Sequence, residues 1–94
     1  MEYRALGRSG LKVSSLCVGT MTWGGSTDEE EAVRIVDTAL DRGVIFFDTA
    51  NAYTKGTSEE ILGRALARDA KRDRAVVATK FTAGVGSGPN DGGN

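Results

Sequence analysis

The sequence predicts an α/β fold in which short parallel strands alternate with helices, and two observations lead to this prediction. Three short apolar runs end near Val18, Phe47 and Thr79, and consecutive ends lie roughly thirty residues apart. Between these runs lie two segments whose apolar residues recur at helical spacing. Strand–helix–strand units of this length are typical of a parallel sheet with right-handed crossovers.

A hairpin and a buried strand are predicted first. Residues 3–6 and 11–14 flank a Gly-Arg-Ser-Gly turn, which indicates a short polar hairpin that acts as a lid rather than a core element. Residues 16–18 are typical of a buried strand, and Cys17 is expected to be a small buried thiol. The glycine-rich segment 19–25 lets backbone approach a ligand closely, but it lacks both the P-loop lysine and the dinucleotide fingerprint.

The first helix and the strand after it have clear boundaries. Residues 26–28 offer three N-cap candidates (Ser, Thr and Asp), and the three glutamates that follow favour a helix start. Gly43 is a natural stop for this helix. Residues 44–47 form an apolar run rich in β-branched and aromatic side chains, which predicts a buried strand.

A second helix and a third strand complete the pattern. Thr57 and Glu60 have the spacing of a capping box before an amphipathic segment, and residues 75–79 predict the last strand. Residues 84–94 are a glycine-rich loop or disordered tail that cannot bury much apolar surface. No helix follows to cover the third strand, so we expect it to be an open edge and the chain to be the opening part of a larger α/β protein.

Composition excludes several classes of function. With 94 residues and a net charge of −1, the chain is at most one small domain with no footprint for nucleic acid or anionic membranes. No leader and no long apolar run is visible, which indicates a cytoplasmic protein. One cysteine cannot form an internal disulfide, and the absence of histidine leaves no metal-ligand spacing and no histidine-based catalysis within these residues.

Three side chains fall where predicted strands leave the core. Asp48 ends one strand, Lys80 ends another, and Tyr53 follows Asp48 in a loop. Because parallel strands end side by side, we expect Asp48 and Lys80 to face the same spot. An ammonium makes a phenol a better proton donor, and a carboxylate keeps that ammonium in place and charged. The trio therefore favours proton donation to a carbonyl oxygen; the alternative is a capping Asp, a solvated Lys and a packing Tyr.

Five segments, in this order and spacing, resemble the N-terminal part of an aldo-keto reductase. They are residues 4–14, 19–21, 43–53, 56–63 and 78–81. The resemblance implies a (β/α)8 TIM barrel of which this chain holds the hairpin, three strands and two helices, an incomplete barrel. It also implies NADPH (NADP) as cofactor, aldehydes and ketones as small-molecule substrates, and a site at the C-terminal face of the strands.

The resemblance also assigns roles to individual residues. Tyr53 is implied as the general acid, Lys80 as its electrostatic activator and Asp48 as the partner of Lys80. Residues 19–21 (Gly19, Thr20 and Met21), together with Asp48, match positions that meet the nicotinamide end of the cofactor. Trp23 is implied to line the substrate pocket, although an aromatic residue in a loop more often simply packs.

Two departures from the family pattern affect these expectations. Thr54 stands where the family commonly has Gly after the catalytic Tyr. The family's catalytic His near the end of the fourth strand is absent, and so are the late loops that hold the cofactor's phosphates. We therefore expect these residues alone to be inactive.

Three interpretations remain open from the sequence. The first is a truncated aldo-keto reductase. The second is a short non-catalytic βα module that binds a partner through its open sheet edge. The third is a doubly wound nucleotide-binding domain with residues 19–25 as phosphate loop, which the missing fingerprint disfavours. The substrate, the preference between NADPH and NADH and the oligomeric state do not follow from the residues.

Overall fold

A computed structural model describes residues 1–93 and confirms the predicted order of elements. The strands are β1 (Tyr3–Ala5), β2 (Lys12–Ser14), β3 (Cys17–Gly19), β4 (Phe46–Asp48) and β5 (Val76–Ala78). The helices are α1 (Glu29–Asp41) and α2 (Thr57–Ala67), with short 3₁₀ segments at Tyr53–Gly56 and Arg68–Arg74. Strands β3, β4 and β5 form a parallel sheet in that order, so each crossover carries one helix.

The predicted hairpin is present as β1 and β2, separate from the parallel sheet, while its role as a lid stays a prediction. Its strands pair antiparallel from Tyr3 opposite Ser14 to Ala5 opposite Lys12. The Tyr3 hydroxyl donates to the Gly43 carbonyl over 2.8 Å, and the Ile45 N–H donates to Ser14 Oγ over 3.1 Å. Because Ile45 immediately precedes β4, these bonds fasten the hairpin to the amino-terminal end of the sheet.

Helix α1 begins and ends where the sequence predicts. Asp28 is the N-cap, and its carboxylate accepts the Glu31 N–H over 2.9 Å. At the other end Gly43 has a left-handed φ of 82°. Its N–H donates to the Leu40 carbonyl over 3.1 Å and the next N–H, of Val44, donates to the Ala39 carbonyl over 2.8 Å, which is a Schellman motif.

The capping box predicted for α2 is wrong. Thr57 has helical backbone angles (φ −62°, ψ −37°) and is the first helical residue, while Gly56 with φ 96° is the N-cap. The Thr57 side chain packs on the loop after β3 instead. A Cβ added to Gly24 of that loop would lie only 2.7 Å from Thr57 Cγ2, so the glycine permits this close contact.

The core lies on the helix-facing side of the sheet. Phe47 of the central strand β4 is fully buried and packs with apolar residues from both helices. Its partners include Val36 and Leu40 of α1, and Leu62 and Leu66 of α2. This arrangement confirms the predicted amphipathic faces of both helices.

The prediction of a buried strand at residues 16–18 is wrong for two of its residues. Leu16 is 60% exposed and Cys17 is exposed, whereas Val18 is partly buried against the core. Alternation along a strand explains the difference, because Val18 faces the helices and Cys17 faces the opposite side of the sheet. No helix of residues 1–93 packs on that opposite face.

Both outer strands of the sheet pair on one side only. Within residues 1–93, β3 and β5 are each bonded to β4 and to no further strand. The predicted open edge at β5 is therefore present, and β3 provides a second one. None of the helices described in residues 1–93 is long and apolar enough to span a bilayer.

Candidate active site

The register of the parallel strands places Asp48 and Lys80 at one end of the sheet. Asp48 lies opposite Ala78, the last residue of β5. The ladder continues past both strands, since the Thr49 N–H donates to the Ala78 carbonyl over 2.8 Å and the Asn51 N–H donates to the Lys80 carbonyl over 3.0 Å. Lys80 is thus held by backbone bonds beside the segment that carries Asp48.

The Lys80 ammonium is bound by three acceptors. Its Nζ donates to Asp48 Oδ1 over 3.0 Å and Oδ2 over 2.8 Å, and to the Thr49 carbonyl over 2.7 Å. These bonds engage the three N–H donors of the group. The hydrogen bond with Asp48 is the largest cause that raises the pKa of Lys80 above its usual value; burial opposes it, and Tyr53 adds a smaller contribution in the same direction. Lys80 is therefore held in its charged form.

Tyr53 joins this pair through the face of its ring. The Lys80 Nζ lies 5.1 Å from the ring centroid, within cation–π range. The hydrogen bonds of the Lys80 Nζ go to Asp48 and Thr49, and the nearby Tyr53 side chain is a further, smaller cause of the raised pKa of Lys80. The structure thus brings together the three residues predicted from the strand ends, while their chemical roles stay a prediction.

The turn that carries Tyr53 contains the departure from the family pattern at Thr54. Thr54 and Lys55 both adopt left-handed angles, with φ of 50° and 54°. Such angles are costly for a β-branched residue and free of cost for glycine. Thr54 offsets part of the cost, because its hydroxyl donates to the Trp23 carbonyl over 2.9 Å. That bond ties the Tyr53 turn to the loop after β3.

The residues predicted to meet the cofactor occupy different environments. Gly19 ends β3 opposite Asp48, and a Cβ at Gly19 would meet nothing within 4 Å, so the edge there is open. Met21 is 66% exposed. Thr20 is fully buried, and its hydroxyl donates to the Asp48 carbonyl over 3.2 Å. The Thr20 N–H also donates to the Asp48 carbonyl and the Thr20 carbonyl accepts from Trp23 and Ser58, so the cofactor contact of Thr20 stays a prediction that this burial does not support.

Trp23 is part of the core rather than of an open surface. Its side chain is 2% exposed and packs with the cluster around Phe47 and the two helices. The apolar cavity nearest the site, of about 340 Å³, is lined by residues 50–53 and 80–83 instead. A role for Trp23 in a substrate pocket stays a prediction that this burial does not support. A smaller cavity of about 130 Å³, between α2 and β5, contains none of the three site residues.

Sequence reasoning missed two residues that hold the site. Thr49 supplies the third acceptor for Lys80, and Ser58 is a fully buried hydroxyl that bonds to Thr20 and Thr49. A signal for Ser58 was present, because it precedes Ile61, Leu62 and Ala65 at the spacing of one helix face. A serine on that apolar face indicates a buried hydroxyl in need of a partner.

Side chains that could bind a metal ion form no cluster in the described part of the chain. Among residues 1–93, no three His, Cys, Asp or Glu side chains gather closely enough to hold an ion.

Comparison with known proteins places this geometry in a family. The chain is 50% identical to the uncharacterized oxidoreductase YrpG of Bacillus subtilis (strain 168), covering 100% of this chain and 30% of that protein. It is 47% identical to a probable voltage-gated potassium channel subunit beta of Oryza sativa subsp. japonica, covering 99% of this chain and 29% of that one. The chain therefore spans about 30% of the length of these curated relatives.

Solved structures give the same result. The holo form of aldo-keto reductase AKR11C1 from Bacillus halodurans superposes with a TM-score of 0.81 at 37% identity, covering 97% of this chain and 29% of that chain. The thermostable aldo-keto reductase Tm1743 superposes with a TM-score of 0.73 at 34% identity, covering 85% and 31%. Residues 15–94 match the model of the Aldo/keto reductase family. The chain belongs to the aldo/keto reductase family.

Proposed function

We propose that this chain carries the proton-donating half of an NADPH-dependent oxidoreductase that reduces aldehydes and ketones to alcohols. The observation that carries the proposal is the Lys80 ammonium, which is bound to Asp48 and lies 5.1 Å from the Tyr53 ring. A positive charge held beside a phenol can stabilise the phenolate that remains after proton donation. Family membership supports the same reaction class.

The residues act as a proton donor and its support. The Tyr53 hydroxyl gives its proton to the carbonyl oxygen of the substrate as negative charge develops there. Lys80 stabilises the phenolate that remains, and Asp48 keeps Lys80 charged and in place. Water then returns a proton to the phenolate. When bound, NADPH supplies the hydride that adds to the carbonyl carbon.

The open end of the sheet fits a planar cofactor ring. Gly19 has no side chain, and the space that its Cβ would occupy is free of other atoms. Asp48 is its register partner on β4, so a ring placed there would lie beside the carboxylate that holds Lys80. Met21 is 66% exposed, so its side chain is free to contact a ring bound at that edge. The Bacillus halodurans relative was solved as a holo form, which supports a bound cofactor in this family.

Residues 1–94 alone are expected to be inactive. Three strands cannot close a barrel, and the phosphate-binding loops of barrel enzymes lie after strands seven and eight. Without them the hydride donor is not held against the substrate, and positioning accounts for a large part of such rate enhancements. The resemblance also implies a catalytic His that this sequence does not contain.

A hybrid reductase tests both parts of the proposal. In the hybrid, these residues replace the matching 29% of the Bacillus halodurans enzyme. With NADPH and a nitrobenzaldehyde, we expect the hybrid to oxidise the cofactor and the separate 94-residue chain to leave its absorbance unchanged. A folded hybrid without turnover would refute the proposed activity, and turnover by the separate chain that disappears in Tyr53→Phe would refute its inactivity.

A second candidate function rests on the unpaired strand edges. Because β3 and β5 each pair only with β4 in residues 1–93, their outer backbone groups can template another strand. A non-catalytic module would use this edge to bind a partner and would have no need of the Lys80–Asp48 pair. Two results together would favour this candidate: the separate chain still associates when it carries Lys80→Met, and the hybrid is inactive.

A further inference from the structure

A buried cluster of three hydroxyl groups lies directly beneath the site. Its members are Thr20 in the loop after β3, Thr49 after β4 and Ser58 in the first turn of α2. All three side chains are at most 2% exposed. The proposed reaction uses none of these hydroxyl groups.

The cluster forms one continuous chain of hydrogen bonds. Thr49 Oγ1 and Ser58 Oγ are 3.3 Å apart, Ser58 Oγ donates to Thr20 Oγ1 over 2.8 Å, and Thr20 Oγ1 donates to the Asp48 carbonyl over 3.2 Å. Ser58 Oγ is also 2.7 Å from the Thr20 carbonyl, which accepts the Trp23 N–H as well. If Thr49 donates to Ser58, each hydroxyl has both a proton to give and an acceptor to receive it.

Ser58 is the centre of this chain and the only member that belongs to a helix. Its hydroxyl contacts the residue after β3 and the residue after β4 at the same time. The segment at the end of β4 holds Lys80, since Asp48 supplies its carboxylate and Thr49 its carbonyl. Strand β4 is therefore fixed from the helix side by Ser58 and from the open side by Lys80.

We infer that Ser58 is a positioning residue for the Asp48–Lys80–Tyr53 site. Its hydroxyl fixes the ends of β3 and β4 relative to α2, so that Asp48 and Thr49 can hold the Lys80 ammonium beside Tyr53. This inference rests on the proposed function for its catalytic consequence, but its geometric claim does not. Loss of the hydroxyl leaves Thr49 Oγ1 without its Ser58 partner and removes the bond that Thr20 Oγ1 accepts, while Thr20 keeps only its bond to the Asp48 carbonyl; in a dry interior the strand ends then shift to recover the lost bonds. Small displacements of catalytic groups lower rates strongly.

A purely structural role makes a different prediction, and Ser14 is the matched control. Ser14 is also 2% exposed, its hydroxyl donates to the Leu16 carbonyl over 2.7 Å and it accepts the Ile45 N–H over 3.1 Å. It lies at the opposite, amino-terminal end of the sheet. Ser14→Ala therefore removes a buried and bonded hydroxyl without touching the site.

The test compares Ser58→Ala with Ser14→Ala in the hybrid reductase by three measurements. These are the free energy of unfolding, kcat and KM, and the pKa of Lys80 followed by NMR of isotope-labelled lysine and assigned with Lys80→Met. We expect both variants to lose stability, but only Ser58→Ala to lower kcat, by about tenfold or more with little change in KM. Ser58→Ala should also lower the pKa of Lys80, because the groups that stabilise its charged form move away.

The remaining outcomes are decisive as well. An unchanged kcat and Lys80 pKa in Ser58→Ala, or equal changes in Ser14→Ala, would overturn the inference. If Ser58→Ala does not fold, Ser58→Cys keeps the volume with a weaker hydrogen-bonding group; failure of both to fold, with Ser14→Ala intact, would show a structural role and overturn it too. A folded but inactive hybrid refutes the proposed function. The comparison of the Lys80 pKa between the hybrid and its Ser58→Ala variant then still shows whether Ser58 positions the site.

Discussion

Lys80 donates to both carboxylate oxygens of Asp48, over 3.0 Å and 2.8 Å, although the two residues are 32 positions apart in the chain. Parallel register produces this contact, since Asp48 pairs with Ala78 and Lys80 follows two residues later. Strand residues alternate between faces, so Lys80 returns to the side of the sheet that Ala78 occupies. The pair therefore fixes the Lys80 ammonium at the open end of the sheet, and substitution of either member reveals what that ammonium does.

The exposed thiol of Cys17 reports on the charges of the site. Although Cys17 is exposed by its surface area, partial desolvation by the surrounding atoms is the largest cause that raises its pKa; the Asp48 charge raises it further and the Lys80 charge lowers it. Thiolate is the reactive form. In the separate chain near neutral pH, we therefore expect Asp48→Asn to speed the reaction of Cys17 with a disulfide reagent and Lys80→Met to slow it. Equal rates for the folded variants, or differences that persist in denaturant, would contradict the arrangement.

At position 54 a glycine variant should be more stable than an alanine variant, which is the reverse of the usual order within a helix. The Thr54 φ of 50° costs an L-residue about 1 kcal/mol that glycine does not incur. Both variants lose the bond to the Trp23 carbonyl, so Thr54→Gly should be more stable to denaturant than Thr54→Ala by about that amount. At the helical position Thr38, the alanine variant should be the more stable by about 1 kcal/mol. The same order at both positions would contradict the left-handed turn.

The Lys80–Asp48 pair also predicts how stability depends on pH. The folded-state pKa of Lys80 is raised, chiefly by the hydrogen bond with Asp48. The stabilisation is therefore fully present below the unfolded-state lysine pKa of about 10.4 and is lost as pH rises through the higher folded-state value. The difference in unfolding free energy between the native chain and Lys80→Met should be constant near neutrality and shrink above that pH. If this difference in unfolding free energy instead grew as pH rises above that value, the proposed stabilisation of charged Lys80 by Asp48 would be contradicted.

The sequence allowed the site to be predicted better than its surroundings. Asp48 and Lys80 follow apolar runs, and parallel strand ends converge whatever packs around them. The face of an edge strand is harder to assign, because a short apolar run such as residues 16–18 has no alternation that separates Val18 from the exposed Cys17. Trp23 was ambiguous for a related reason, since a loop residue has no periodicity to show which way it points.

The contacts by which α2 supports the site could not be predicted from the sequence, because they form only in the tertiary structure. Ser58 and Thr49 differ by only nine positions, but their hydroxyl groups meet through the turn at Tyr53–Gly56. That turn contains left-handed Thr54 and Lys55, and neither residue type indicates left-handed backbone; only the glycine that the family commonly has at position 54 points to it. Thr57 illustrates the same limit: its spacing to Glu60 fits a capping box, but Gly56 with φ 96° already occupies the cap position.

The most direct test of the central claim is the turnover of the hybrid reductase with Tyr53→Phe. This change removes the proton donor and leaves the ring against which Lys80 lies at 5.1 Å. We expect kcat for an aldehyde to fall by about 10²–10⁴-fold, with NADPH affinity nearly unchanged, because a positioned acid contributes on that scale. Near-native turnover by a folded Tyr53→Phe hybrid would show that the phenol is not the proton donor.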